Sequence, residues 1–434
     1  MKIPLPYHKS FLELDIPDAA LLGVLEPDQN SVSVPEFGSD PVKNLEIQRE
    51  IIEKALSSPI GSPTLGKIAA GKTNAVIITS DHTRPVPSSI TLPPMIRELR
   101  KANPEIDITI LVATGMHRAT TKKELLEKFG KEICSNEKIV MHDSQDNSSL
   151  VSLGKLPSGG ELIINKLAVE TELLLCDGFI EPHFFAGFSG GRKAVLPGIA
   201  GYKTVLANHC AEFIDSKNAR TGVLTGNPIH KDMLFAAKSA RLAFILNVVI
   251  DAEKRVIAAF AGDSAKAHEK GCKYVKTRSS VKKILGAKIV VTTNGGYPLD
   301  QNIYQSVKGM TAAEATCAEG GVIIIVSACS DGHGGESFYR HMAEADSPAE
   351  ILEKISQVPM DKTLPEQWQF QILARILNKY TVIMVTDKCS REMIEPMHMK
   401  HAKTIPEALA MAHRIAGKDE KLAVIPDGVA VIVE

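Results

Sequence analysis

Asn74-Ala-Val-Ile-Ile-Thr-Ser80, running directly into Asp81-His-Thr-Arg-Pro-Val-Pro87, decides the fold. Its apolar residues are consecutive rather than alternating, as in a strand covered on both faces. The polar turn that follows is stiffened by two prolines. In an open parallel sheet, ligands collect just beyond the carboxyl ends of strands. Working outward, Ile106-Asp-Ile-Thr-Ile-Leu-Val-Ala113 repeats the pattern and ends in Thr114-Gly-Met-His-Arg118. Glu172–Ile180 and Phe244–Ile250 read as further strands, with helices expected at Lys122–Phe129, Lys203–Phe213 and Ile229–Ala240. Strands that alternate with helices imply an α/β fold with a parallel sheet.

A second set follows. Ala287–Thr293, Gly321–Ser327, Tyr380–Thr386 and Leu422–Pro426 read as strands, with helices near Ser306–Ala318, Ala349–Gln357 and Ile405–Ala416. A chain of 434 residues exceeds one compact core, so two α/β domains with parallel-type sheets are expected. The first spans 1–275 and the second 284–417, and the tail from about 418 to 434 is expected to pack back on the first. The basic stretch Lys273–Lys283 is either the hinge between them or a solvated helix face.

Composition removes several function classes. Fifty basic residues balance fifty-one acidic ones, which gives no electrostatic case for nucleic acid or an anionic membrane. Met1–His8 lacks the apolar core of a signal peptide, and no run reaches membrane-spanning length. Seven scattered cysteines with no Cys-x-x-Cys fit reduced thiols and a cytoplasmic setting.

Ionisable groups gather at the strand ends. Asp81, His82, Thr83 and Arg84 follow the first strand, and His117 follows the second. After the third comes Glu181-Pro-His-Phe-Phe-Ala-Gly-Phe-Ser-Gly-Gly-Arg-Lys193, with Asn208-His209 on an expected helix beyond it. His183 and His117 can move protons near neutral pH. The Ser189–Lys193 run has the look of an anion-cradling turn, without Walker A spacing. No His-x-x-x-His or His-x-Glu accompanies His209, so a metal there needs ligands from outside the chain. In the second domain, Tyr304, Gln305 and Lys308 cluster at a helix start and suit a small carboxylate, and Trp368 is the only tryptophan. Asp331-Gly-His-Gly-Gly335 reads as a turn.

Taken in order, these motifs resemble the nickel-pincer-dependent lactate racemase family, which comprises 2-hydroxyacid racemases and epimerases, from Ser80 to Trp368. The resemblance implies two α/β domains with the active site in the cleft between them. It also implies the nickel-pincer nucleotide cofactor, a nickel(II) pyridinium-3,5-bisthiocarboxylate mononucleotide attached covalently through Lys193, with His209 as the protein ligand to nickel. His117 and His183 would be the acid/base pair. Asp81, His82, Thr83 and Arg84 would contact the cofactor. Arg84, Tyr304, Gln305, Lys308 and Trp368 would bind substrate. The implied partners are a small 2-hydroxyacid and the proteins that make the cofactor, with no nucleic acid and no membrane. Two other readings stand beside this one: a zinc-dependent hydrolase using His117, His183 and His209, and a non-catalytic protein that binds small carboxylates.

Overall fold

The structure, a computed structural model, describes residues 1–28 and 31–434. Its first sheet has six strands, in the spatial order Lys138–Met141, Asp107–Ala113, Asn74–Ser80, Leu174–Phe179, Leu242–Ile250 and Val256–Gly262. All neighbours are parallel except the last pair. The chain winds outward from Asn74–Ser80 in one direction and then returns to build the other half. The winding therefore reverses between Asn74–Ser80 and Leu174–Phe179, and a crevice opens beyond the carboxyl ends of these two strands.

The unbroken apolar run of the first strand is used on both faces. Ala75 and Ile77 pack with Leu92, Met95 and Leu99 of the Ser88–Ala102 helix and with Phe129 and Ile133 of Lys122–Asn136. Val76 and Ile78 face the opposite core, with Val195, Ile199, Met233 and Ala236. The Lys122–Asn136 helix starts on a full capping box, in which Thr121 and Glu124 satisfy each other's backbone N–H groups.

The second sheet is entirely parallel: Lys400–Ala402, Thr381–Val385, Cys317–Val326, Ala287–Thr293, Leu422–Ile425 and Leu21–Val24. The Lys2–Tyr7 and Ser10–Asp15 hairpin lays Ile3, Leu5 and Leu14 on the Ile289 and Val291 face of this sheet. The expected span of 1–275 for the first unit therefore departs from the strand pairing at its start, because residues 1–24 pack with the second. The tail divides as well. Leu422–Ile425 is inside the second sheet, whereas Ile432 packs on Ile180, Phe188 and Phe260 of the first unit. There Ile432–Val433 pairs with Ser280–Val281. The basic stretch also has two fates: up to Ser279 it is the end of the Lys266–Ser279 helix, and beyond that it is this crossing strand. Among the described residues no helix is long and apolar enough to cross a membrane.

Candidate active site

A cavity of about 220 Å³ opens at the winding reversal of the first sheet. Ten of the residues singled out in the sequence line it: Asp81, Arg84, His117, His183, Lys193 and His209 from the first unit, and Tyr304, Gln305, Lys308 and Trp368 from the second. His82 and Thr83 do not line it. His82 Nδ1 lies 3.1 Å from Thr120 Oγ1, and Thr83 acts on Asp81 instead.

Asp81 is 1 % exposed and fully used. One carboxylate oxygen accepts from the Thr83 N–H at 3.1 Å and the Thr83 hydroxyl at 2.6 Å, and the other lies 2.7 Å from His117 Nδ1. Burial disfavours its charge, but the His117 hydrogen bond and charge, Thr83 and Arg84 outweigh burial and hold the carboxyl at about 2. A carboxylate can only accept, so Nδ1 of His117 carries the proton and Nε2 is left with a lone pair. Lys128 braces the same loop by donating to the carbonyls of Arg84 at 2.9 Å and Val86 at 3.3 Å.

His183 is arranged differently. Its Nδ1 accepts the Ala186 N–H at 3.2 Å, and its Nε2 lies 3.1 Å from Lys193 Nζ. Burial, then Lys193, Lys308 and Arg84, keep the imidazole well below its usual range. Lys193 is likewise held well below the usual lysine range, by burial first and then by Arg192, Arg84 and Lys308.

The expected anion cradle is organised around Arg192, which is 1 % exposed. It turns away from the cavity and donates to the carbonyls of Ala186 and Phe188, each at 2.8 Å, and to His230 Nδ1 at 3.0 Å. Gly190 and Gly191 have φ of +77° and +53°, a region open to glycine. The Gly191 N–H is spent on Asn247 Oδ1 at 2.7 Å.

His209 does not lie within a helix as the sequence implied. The expected Lys203–Phe213 helix is two short ones, Tyr202–Asn208 and Ala211–Asp215, and His209 caps the first. It is 4 % exposed and its Nδ1 donates to the Val205 carbonyl at 2.9 Å. Burial and then Lys193 push it down to about 3, so the ring is neutral with a bare Nε2. Phe185 stands edge-on to both His183 and His209, at 4.6 and 5.2 Å between centroids. Trp368 meets His209 at 5.0 Å and donates its Nε1–H to the Tyr304 hydroxyl at 3.0 Å.

The second unit supplies one cation, Lys308, from the Ile303–Glu314 helix. Asn302 caps it, and the Asp331–Gly335 turn closes over its start, where the Gly332 and His333 carbonyls accept from Ile303 and Tyr304, each at 3.0 Å. That turn supports the helix and does not line the cavity. Lys308 is pushed down to about 8 by burial and then by Arg84, against the pull of Glu181.

Sequence reasoning missed Phe184, Phe185, Met116, Asn247 and Lys128. The two phenylalanines stood inside the quoted motif, and Asn247 was visible as an amide within an apolar strand. Among the described residues no three His, Cys, Asp or Glu side chains converge so that they could hold a metal ion by themselves. A three-histidine zinc site therefore has no support in the geometry.

Comparison with known proteins fits this arrangement. Residues 7–222 match the lactate racemase N-terminal domain and residues 281–433 the lactate racemase C-terminal domain. The chain is 54% identical over 431 residues to the lactate racemase of Thermoanaerobacterium thermosaccharolyticum, covering 99% of each. It is 53% identical over 432 residues to that of Lactiplantibacillus plantarum, covering 100% of this chain and 99% of the relative. The structure of the T. thermosaccharolyticum lactate racemase apoprotein superimposes with a TM-score of 0.94 at 54% identity and full coverage of both chains. A Thermotoga maritima protein shares the fold at TM-score 0.63 and 19% identity, over 92% of this chain and 100% of that one. The chain belongs to the lactate racemase family, a family of isomerases.

Proposed function

We propose that this protein racemises lactate, or a closely related 2-hydroxyacid, by moving the hydrogen on C2 as a hydride through a 2-oxoacid intermediate. The observation that carries the reading is that His117 and His183 line one cavity together with Lys193 and His209. The names of the relatives support lactate as substrate.

The residues fit a nickel-pincer nucleotide. His209 offers a neutral imidazole with its Nε2 lone pair free, as a metal ligand requires, and among the described residues no competing set of ligands converges. Lys193 offers a weakly basic amine for covalent attachment. When bound, the group would supply a hydride acceptor beside the substrate.

The chain's own residues do the rest. Lys308 and Arg84 hold the substrate carboxylate, and Gln305 and Tyr304 stand beside them. His117 Nε2 takes the hydroxyl proton of one enantiomer while Asp81 stabilises the resulting imidazolium. His183 serves the other enantiomer. To accept a proton at Nε2 it must first release the Ala186 N–H, because a neutral ring carries only one hydrogen. Phe184, Phe185 and Trp368 wall the cavity and exclude water from the oxoacid.

The test is racemisation of lactate deuterated at C2 by the nickel-loaded protein. Retention of deuterium in the inverted product is expected, and washout into solvent at each turnover refutes hydride transfer. His209→Ala is expected to abolish nickel retention measured by elemental analysis, and full nickel content in that variant removes His209 from the ligand role.

A further inference from the structure

We propose that Lys193 in the unmodified chain is an uncharged, nucleophilic amine that condenses with the carbonyl of a small 2-oxoacid to form an imine. The choice of a 2-oxoacid rests on the reading above, whereas the state of the amine rests on hydrogen-bond geometry alone.

His183 Nδ1 accepts the Ala186 N–H, so that nitrogen carries no hydrogen. The ring's proton is therefore on Nε2. Nε2–H points at Lys193 Nζ across 3.1 Å. An ammonium group has three hydrogens and no lone pair, and two donors cannot form this bond. The contact is made only if Nζ is the acceptor, and a lysine nitrogen accepts only as a neutral amine.

Arg192 explains why that state is held. It is the adjacent residue, it is buried, and among the described residues no carboxylate pairs with it. Carbonyl oxygens and His230 satisfy its hydrogens without cancelling its charge. A fixed cation next to a desolvated lysine favours the free amine. Lys308 and Arg84 add two more cations along the same cavity, and these suit the carboxylate of an incoming acid.

The condensation balances without a redox partner. The Nζ lone pair bonds to C2 and the C=O π pair moves to oxygen. One nitrogen hydrogen transfers to that oxygen, with His183 in reach to carry it. The second leaves with the hydroxyl as water, and a C=N bond remains. Cyanoborohydride then delivers a hydride to the imine carbon and makes the adduct permanent.

The experiment uses full-length protein produced without the cofactor pathway, incubated with pyruvate and sodium cyanoborohydride from pH 6.5 to 9 and read by peptide mass spectrometry. An ordinary lysine is uncharged only about once in a thousand at pH 7.4, so Lys193 should be alkylated at least about tenfold faster than a solvated lysine there. Lys123, whose side chain is 86% exposed, is the internal reference. The preference should shrink toward pH 9 as Lys123 loses its proton. Labelling of Lys193 no faster than Lys123 at pH 7.4, or a preference that grows with pH, overturns the inference. Arg192→Met, checked for folding by circular dichroism, should narrow the preference while burial keeps the rest of it; a folded variant that keeps the preference in full removes Arg192 from the account. If that variant does not fold, the unsubstituted protein's pH series decides alone. Absent labelling alongside deuterium-retaining racemisation sinks only this inference, while clear labelling alongside deuterium washout sinks only the hydride mechanism.

Discussion

Replacing Asp81 by asparagine removes one charge and almost no volume, yet the geometry predicts a large effect for a specific reason. Asp81 uses one oxygen for the two Thr83 donors and the other for His117. In Asp81→Asn the Thr83 N–H and hydroxyl still demand an acceptor, so the amide oxygen stays on their side. The amide NH₂ then faces His117 Nδ1. That nitrogen must now accept, its proton moves to Nε2, and the base that should take the substrate's hydroxyl proton is blocked.

The electrostatic part can be sized. The carboxyl falls from its ordinary 3.8 to about 2 in the folded protein, against its own burial. A hydrogen bond to a charged group is worth about 1.5–3 kcal/mol. The His117 side chain is 45% exposed, so solvent screens part of that and about 1–2 kcal/mol remains for its contact with Asp81. Asp81→Ala loses that term and the ring's orientation, which costs about 5- to 30-fold in turnover from the electrostatics alone. Asp81→Asn also loses general base catalysis and should fall by about 10²- to 10⁴-fold. The assay is racemisation of each lactate enantiomer by nickel-loaded protein. Nitrogen-15 NMR of labelled histidine in cofactor-free Asp81→Asn protein reads the His117 tautomer directly, against the unsubstituted protein, where the proton is on Nδ1. An Asp81→Asn enzyme more active than Asp81→Ala, or a His117 with its proton still on Nδ1, refutes the reasoning.

Two further outcomes follow from other parts of the site. Lys308 is charged below about 8 and loses its charge above it, so KM for lactate should rise as pH climbs through 8 while kcat changes little. A KM flat to pH 9.5 would remove Lys308 from the carboxylate site. Gly190 and Gly159 both have positive φ, but only at Gly190 would a Cβ meet other atoms, 2.7 Å from Asn247 Oδ1 and from the Phe179 carbonyl. Gly159→Ala should destabilise by about 1–2 kcal/mol, and Gly190→Ala by about 1–3 kcal/mol more. Equal shifts in Tm for the two variants would mean that the 189–193 turn moves aside freely.

The parts of this molecule that were legible in its sequence share a physical cause. Asn74–Ser80 could be recognised because a strand buried on both faces has to be apolar at every position, and the turn after it could be placed because sheets of this winding leave their crevice there. Leu21–Val24 obeys neither rule. It is a four-residue edge strand containing Gly23, and its partner Leu422–Ile425 lies at the other end of the chain. Nothing local records that pairing. His209 shows a different limit: Asn208-His-Cys210 is compatible with a helix, and the break there is a matter of tertiary packing.

The most consequential omission concerns protons. The sequence displays His117, His183, Lys193 and His209 as four titratable groups of ordinary character. Their states are written by groups that titrate little or not at all: Thr83 orients Asp81, the Ala186 N–H fixes His183, the Val205 carbonyl fixes His209, and Arg192 charges the space behind Lys193. Two of these four are main-chain groups, which any residue but proline would supply at position 186 and any residue at 205. A substitution at Ala186 or Val205 that kept the backbone path would leave the tautomers of His183 and His209 unchanged, whereas a shift of that path would change the chemistry without altering a single functional side chain. The identity of the reacting groups is therefore encoded residue by residue, but which of their nitrogens holds a hydrogen is encoded by the fold.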